Sequence, residues 1–296
     1  MKQQSKVHLY YLIILILFVF SGYFIPTSWY ENTYFELFFS QIALLMIPTA
    51  IFLLFNKRHL HKYLAIQKLS MQDIIFIPFI VLPLIFIGAF FNSLIVFLVS
   101  SWHGPVYAPQ YAIDTTLPLL PYIIGMAILP GIFEETIHRG ILLATYRKQG
   151  KRFAMITSAL LFALLHLSVA NLANTFMLGL FFAWLVYFTG SLLSSMYAHF
   201  FYNVFIVLSE YLITSEKMPE YLSIDINQLL SLIPFTLVAA LLWFLIFSLY
   251  KKSHPPVTLE PGRQALRSFS TLLQTDGFFT ICLIFILSVN GFLLFL

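Results

Sequence analysis

Long apolar stretches separated by short polar segments dominate the pattern of this chain. A helix needs about 20 predominantly apolar residues to cross a bilayer core of about 30 Å. Nine stretches reach or approach that length, so the pattern predicts an all-α fold, a polytopic transmembrane helical bundle with about eight to nine spans. The predicted spans are residues 7–26, 33–55, 74–100, 117–146, 153–168, 175–190, 191–213, 229–250 and 278–296.

Composition and charge agree with a multi-pass integral membrane protein. Hydrophobic residues make up 60% of the 296 positions and charged residues only 9%, against about a quarter charged in soluble domains. A cytoplasmic N-terminus places 14 of the 16 Lys and Arg residues in alternate loops on the cytoplasmic side, as the positive-inside rule requires. The C-terminus is then predicted on the opposite side. The net charge of +4 belongs to loops near anionic lipid, and nucleic acid is not a predicted partner.

Ionisable side chains cluster at three places inside the predicted spans, where each such group costs about 2.5 to 3.5 kcal/mol on insertion. Residues four apart share a helix face. Glu135 is therefore predicted to pair with Arg139, which neutralises both charges and leaves Glu134 free to face elsewhere. The three groups are Glu134, Glu135, His138 and Arg139, then His166, then His199 with Asn203.

The depth of these groups predicts that they meet in a polar cavity within the membrane. Pro130 interrupts the backbone hydrogen bonds of its span, which is tolerated at membrane depth where the helix faces protein or a water-filled cavity. Glu134 and His166 both lie about 20 Å from the same cytoplasmic loop, at 1.5 Å per residue. His199 lies about 12 Å from the next cytoplasmic turn.

A carboxylate beside an imidazole in such a cavity can act as a general base on water. Glu134 and His166 are the candidates for this role. His199 and Asn203 share a helix face and are candidates to donate hydrogen bonds to an oxyanion. Taken alone, His166 or Asn203 also fits an interhelical hydrogen bond, and His138 fits a partner of Glu134 or a polar filler. The remaining histidines are expected to be solvated, because they lie near span ends or in loops: His8, His59, His61, His103 and His254.

Three motifs follow one another on these spans. They are E-E-x-x-x-R at Glu134 to Arg139, F-x-x-x-H at Phe162 to His166, and H-x-x-x-N at His199 to Asn203. Together they resemble the signature of the CPBP family, also called Abi, which comprises the type II CAAX prenyl endopeptidases and related bacterial proteins. The resemblance covers roughly residues 115 to 213.

The resemblance implies an all-helical intramembrane protease. It implies that Glu134 and His166 activate water, that His199 and Asn203 stabilise the oxyanion, and that Glu135 and Arg139 support them. The chain then divides into N-terminal transmembrane helices (1–114), a catalytic helical core (115–213) and C-terminal transmembrane helices (214–296). The predicted partners are the lipid bilayer and a hydrophobic or lipidated peptide substrate. Prenylated proteins, peptide pheromones and bacteriocins all fit that description.

The mechanism and the function both have alternatives. Glu134, His166 and His199 supply the ligand types of some catalytic zinc sites. However, the sequence has no H-E-x-x-H motif, and a zinc bound by Glu134 would need another base to activate its water. We therefore predict a metal-free glutamate mechanism with no cofactor, and zinc is the alternative. A proton-coupled transporter and a non-catalytic membrane immunity or scaffold protein are the alternative functions.

Overall fold

A computed structural model of the chain describes residues 3–30, 32–107, 113, 117–213, 221–254 and 276–293. Nine long helices contain most of these described residues, which confirms the predicted all-α transmembrane bundle. In chain order the helices are α1 (Gln3–Phe24), α2 (Thr33–Phe55), α3 (Met71–His103), α4 (Leu119–Gln149), α5 (Lys151–Leu165), α6 (Leu172–Thr189), α7 (Leu192–Ile213), α8 (Ile226–Ser253) and α9 (Gly277–Leu293). A two-stranded antiparallel ladder pairs Val106–Tyr107 with Tyr221–Leu222.

Seven spans in the described part of the chain are long and apolar enough to cross a bilayer. The two remaining helices, α5 and α9, have 15 and 17 residues. At 1.5 Å per residue α5 extends only about 22 Å, which is less than the thickness of a bilayer core. These two helices occupy the predicted fifth and ninth spans, and residues 294–296 of the ninth lie outside the described residues.

Helix α5 ends at the candidate histidine. His166 is the C-cap residue of α5, and Leu167 follows in the left-handed region with φ of 49°. A leucine in this region costs roughly 1 to 2 kcal/mol. A short 3₁₀ turn (Val169–Asn171) then leads into α6, which packs against α5. His166 is therefore held at the tip of a helical hairpin.

Parts of α2 and α4 are π-helical. The π segments are Ser40–Met46, Ile124–Ile128 and Thr136–Leu142. Pro130 lies two residues after the end of the second segment, and α4 continues through the proline. Single π turns are often found at functional sites, because they alter the helical repeat and the backbone hydrogen bonding. Here they flank the two glutamates.

Two hydrophobic clusters hold the bundle together. The first joins α1, α2, α4, α5 and α9, and the second joins α3, α6, α7 and α8. Helix α6 belongs to both, with Ala183 and Val186 in the first cluster and Phe181 and Leu185 in the second. The helices that carry the three motifs are therefore fixed between two packed cores.

The expectation of solvated histidines is wrong for His8 and His254. His8 is 1% exposed; its Nδ1 lies 3.0 Å from Asp276 Oδ2 and its Nε2 lies 2.9 Å from the Tyr146 hydroxyl. The partly buried His254 lies 3.2 Å from Asp73. Each histidine has an acidic partner far away in sequence, which satisfies a buried imidazole that would otherwise be costly. These pairs connect α9 to α1 and α8 to α3.

Candidate functional site

The four predicted catalytic side chains line one cavity of about 430 Å³. Helices α1, α2, α4, α6 and α7 and the C-terminal end of α5 contribute to its wall. The structure therefore brings together residues from three separate motifs, and their catalytic roles stay predictions. The four residues are Glu134, His166, His199 and Asn203.

Glu134 directs its carboxylate into this cavity, and its side chain is 13% exposed. Gln41 Nε2 donates a hydrogen bond to Glu134 Oε1 at 3.2 Å. The other oxygen, Oε2, lies 4.0 Å from Nε2 of His199. Among the described residues, Glu134 has no Lys or Arg partner, so its charge is available to the cavity.

Glu135 is completely buried behind this surface and pairs with Arg139, as predicted. Arg139 Nη1 donates to Glu135 Oε1 at 2.8 Å, and neither side chain is exposed. The rest of the guanidinium packs on aromatic rings, with its Cζ 4.3 Å from the centroid of Phe162 and 5.4 Å from that of Phe182. Such cation–π contacts partly replace the hydration that Arg139 loses on burial.

Glu135 also orients His199. Because an ionised carboxylate only accepts, His199 Nδ1–H donates to Glu135 Oε1, over a distance of 2.9 Å. With Nδ1 bound in this way, Nε2 of His199 faces Glu134 and the cavity. Helices α4 and α7 approach closely enough for this contact because Gly131 faces α7, where an added Cβ would lie 3.2 Å from the Met196 carbonyl oxygen.

His166 is fixed in a similar way by its own helix. Its Nδ1–H donates to the Phe162 carbonyl at 2.8 Å, which leaves Nε2 as the ring nitrogen available to the cavity. A neutral imidazole in this tautomer presents an acceptor there. Glu134 and His166 therefore offer two acceptors to a water molecule in the same cavity.

Asn203 contributes a donor. Its Nδ2 donates to the Met126 carbonyl at 2.7 Å, and Met126 lies in the π segment that precedes Pro130. A side-chain amide has two N–H donors, so one remains for the cavity. The hydrogen bond to Met126 fixes the orientation of the amide.

His138 lies outside the cavity lining. Its Nδ1–H donates to the backbone carbonyl of Glu134 at 2.8 Å, and its ring packs against Tyr11 and Phe162. The contact is thus with the backbone of Glu134 and not with its carboxylate. His138 therefore fills space between α1, α4 and α5 and does not contact the cavity.

Sequence reasoning missed Gln41 and Ser168, which also line the cavity. Neither side chain is ionisable, so the cost of placing charge in hydrocarbon gives no signal for them. A polar side chain within an apolar stretch, such as Gln41 in FFSQIALL, is the signal that could have identified the first of them. Another pair, Asn174 and Tyr202, forms part of the wall through a hydrogen bond of 2.7 Å between Asn174 Nδ2 and the tyrosine hydroxyl.

The fit of a metal ion can be assessed from the same geometry. Across the described ranges, no group of three or more His, Cys, Asp or Glu side chains could hold a metal ion. The alternative zinc set of Glu134, His166 and His199 therefore does not form a ready site, although all three residues line the cavity. The predicted independence of a metal cofactor stays a prediction.

Comparison with known proteins identifies the central segment. Residues 116–205 match the family model described as Rce1-like, type II CAAX prenyl endopeptidase Rce1-like. The matched segment covers about a third of the chain and contains all three motifs, which confirms the resemblance to the CPBP family. No curated protein and no solved structure matches the chain.

Proposed function

We propose that this chain, with its Rce1-like central segment, is an intramembrane endopeptidase that hydrolyses a peptide bond in a hydrophobic or lipidated peptide. The family match supports a CAAX-type protease acting on membrane-associated substrates, and the seven candidate spans support a location within the bilayer. One structural observation supports placing the proposed peptide hydrolysis in the cavity. A carboxylate without a Lys or Arg partner among the described residues, two imidazoles and an amide line the same cavity.

The proposed reaction begins with a water molecule between two acceptors. One hydrogen of the water points to Glu134 and the other to His166 Nε2, the nitrogen that the Phe162 carbonyl leaves free. Glu134 takes the first proton as the water oxygen forms a bond to the peptide carbonyl carbon. The electron pair of the C=O π bond moves onto the carbonyl oxygen, which becomes an oxyanion.

The oxyanion is stabilised by donors whose positions are fixed before the reaction. Asn203 has one N–H left after its bond to the Met126 carbonyl. Neutral His199 presents an acceptor at Nε2, because its Nδ1–H is bound to Glu135. His199 can therefore donate to the oxyanion from Nε2 only in the form in which both ring nitrogens carry a proton.

Collapse of the tetrahedral intermediate completes the proton balance. The oxyanion's electron pair re-forms the C=O bond, the C–N bond breaks with its electron pair going to nitrogen, and the nitrogen takes the proton held by Glu134. The products are a new carboxyl terminus and a new amino terminus. Glu134 is regenerated as a carboxylate for the next water molecule.

The proposed activity is tested by incubating purified protein in detergent with S-farnesylated and unmodified hydrophobic peptides and locating the cleaved bonds by mass spectrometry. Because Glu134 itself is the proposed base, we expect cleavage to persist, within about twofold, when a zinc chelator is added. Metal analysis is expected to show much less than one zinc per chain. Stoichiometric zinc whose removal stops turnover, and whose return restores it, would contradict the metal-free mechanism.

Asn203→Asp is expected to lower kcat by about 10²- to 10³-fold, the usual effect of losing an oxyanion donor. An ionised aspartate cannot donate to the Met126 carbonyl or to the oxyanion, and it adds a negative charge where one develops. Rates per folded molecule check this expectation. Asn56→Asp is the matched control, because Asn56 Nδ2 also donates to a backbone carbonyl, that of Phe52, but does not line the cavity. Equal loss of activity in both variants would count against an oxyanion role.

A further inference from the structure

Gln41 belongs to the cavity although it lies far from the three motifs in sequence. It is in the π segment Ser40–Met46 of α2, outside the matched residues 116–205. Its side chain is 8% exposed and lines the cavity together with Glu134. The N-terminal helices therefore supply a polar group next to the proposed base.

The amide of Gln41 has a determined orientation. Its Nε2 donates to Glu134 Oε1 at 3.2 Å, and an ionised carboxylate offers only acceptors, so the NH₂ group has to face Glu134. This hydrogen bond fixes one carboxylate oxygen, and the other, Oε2, faces His199. Gln41 is thus placed to set the direction in which Glu134 accepts a proton.

The carbonyl oxygen of the same amide has no hydrogen-bond partner among the described residues, although it is buried. Ser168, which is 5% exposed, likewise has a buried hydroxyl without a partner. Unpaired polar groups in a protein interior cost free energy and call for an explanation such as a ligand. Both residues line the cavity that contains the candidate catalytic groups.

The chemistry of these two groups indicates the kind of ligand. Gln41 Oε1 is an acceptor, and the Ser168 hydroxyl can donate. A peptide backbone supplies the complement of both, an N–H donor and a C=O acceptor, without a net charge. A free carboxylate would fit less well, because it would bring a negative charge into a cavity that already contains Glu134.

We propose that Gln41 and Ser168 bind the backbone amides that flank the scissile bond, and that Gln41 at the same time orients Glu134. The Gln41 carbonyl accepts a substrate N–H, and the Ser168 hydroxyl donates to a substrate carbonyl. The inference rests on the proposed function for the identity of the substrate. It makes α2, which lies outside the matched segment, a part of the substrate site.

Binding and turnover are to be measured separately. The probe is a fluorescein-labelled, S-farnesylated peptide ending in a C-a-a-X sequence, together with a series in which single backbone N–H groups are replaced by ester oxygens. Fluorescence anisotropy in the His166→Ala background, which is expected not to cleave and keeps the carboxylate that orients Gln41, gives Kd, and cleavage by otherwise native protein gives kcat and KM. Thr175→Val is the matched control, because Thr175 lines the cavity but its hydroxyl already donates to the carbonyl of Asn171.

Gln41→Met, which is close in size and cannot form either hydrogen bond, is expected to raise Kd about 3- to 10-fold. It is expected to lower kcat by about 10-fold as well, because Glu134 loses its orienting donor. One ester substitution is expected to weaken binding to a protein that has Gln41 and to have no effect on binding to the Gln41→Met variant. Ser168→Ala is expected to raise Kd by a similar factor to Gln41→Met without lowering the Tm, since the hydroxyl has no protein partner to lose.

The proposal is overturned if the peptide does not bind, if no ester position affects binding, or if Thr175→Val weakens binding as much as the other changes. It is also overturned if Ser168→Ala lowers Tm and leaves Kd unchanged. If the peptide binds, with a Kd that depends on Gln41, Ser168 and one ester position as expected, but is not cleaved, the binding role of Gln41 and Ser168 stands and the protease assignment is rejected. If the peptide is cleaved but neither Gln41→Met nor Ser168→Ala changes Kd or KM, the protease assignment stands and the proposed binding role of Gln41 and Ser168 is rejected.

Discussion

Replacement of Glu134 by glutamine is expected to lower kcat/KM for peptide cleavage by about 10³- to 10⁴-fold, the upper part of the range for loss of a general base. Glutamine keeps the size of the side chain and an oxygen that can accept from Gln41. It has no carboxylate to take the proton of water. The fold is expected to be unaffected, because Glu134 has no Lys or Arg partner in the described structure that the change would leave unpaired.

The measurement is the initial rate of cleavage of a peptide that the native protein cleaves, with Tm recorded for each variant. His166→Ala is expected to show a comparable loss, since it removes the second acceptor for the water. Glu210→Gln serves as the control, because Glu210 is a half-buried glutamate of α7 outside the cavity lining. Cleavage retained by either Glu134→Gln or His166→Ala would exclude the proposed mechanism.

The same variant separates the protease from the transporter. Protein reconstituted in liposomes is to be tested for proton flux and for peptide cleavage in parallel. A flux that Glu134→Gln abolishes, together with no peptidase activity in the native protein, would select the transporter. Partner binding that persists without Glu134, His166 and His199 would favour a scaffold or immunity protein.

The spacing of residues along the sequence was sufficient to predict those contacts of the site that form within a single helix. Glu135 and Arg139 are four residues apart, and they pair although a π segment begins at Thr136. Distance along the helices from their connecting loops, which depends only on the rise per residue, correctly suggested that the three polar groups lie close enough for one cavity. These features follow from helix geometry and from the cost of charge in hydrocarbon.

Contacts between helices that are distant in sequence could not be predicted in this way. Nothing in the spacing indicates that Glu135 accepts from His199, or that Gln41 of α2 donates to Glu134. His8 was expected to be solvated because it lies near a span end, and nothing in the local sequence indicates its partner Asp276, near the other end of the chain. The choice of partner depends on how helices pack side by side, which hydropathy does not determine.

The two N-terminal helices, α1 and α2, form part of the cavity wall. Phe18 of α1 and Leu37 and Gln41 of α2 line the cavity, and α1 is in turn packed against α9. The segment that matches the family model therefore does not form the cavity wall alone. Substrate preference can differ between proteins that share the three motifs if their first two helices differ.

The pair of Glu135 and Arg139 is expected to be the largest single contribution to stability at the site. Arg139→Ala leaves Glu135 completely buried without its arginine partner, although still bonded to His199, and it also removes the guanidinium from the Phe162 and Phe182 rings. Breaking a buried ion pair by removing one partner typically costs about 3 to 5 kcal/mol. The free energy of unfolding, measured by denaturant titration in detergent micelles, checks this value.

The double change Glu135→Gln with Arg139→Met tests whether the loss comes from an uncompensated charge. It removes both charges, keeps an oxygen that can accept from His199 Nδ1–H, and places an apolar chain against the two rings. Because neutral replacement of a buried ion pair is often nearly free of cost, we expect the double variant to recover most of the stability that Arg139→Ala loses. A double variant as unstable as Arg139→Ala would show that packing of the guanidinium, and not its charge, stabilises this part of the bundle.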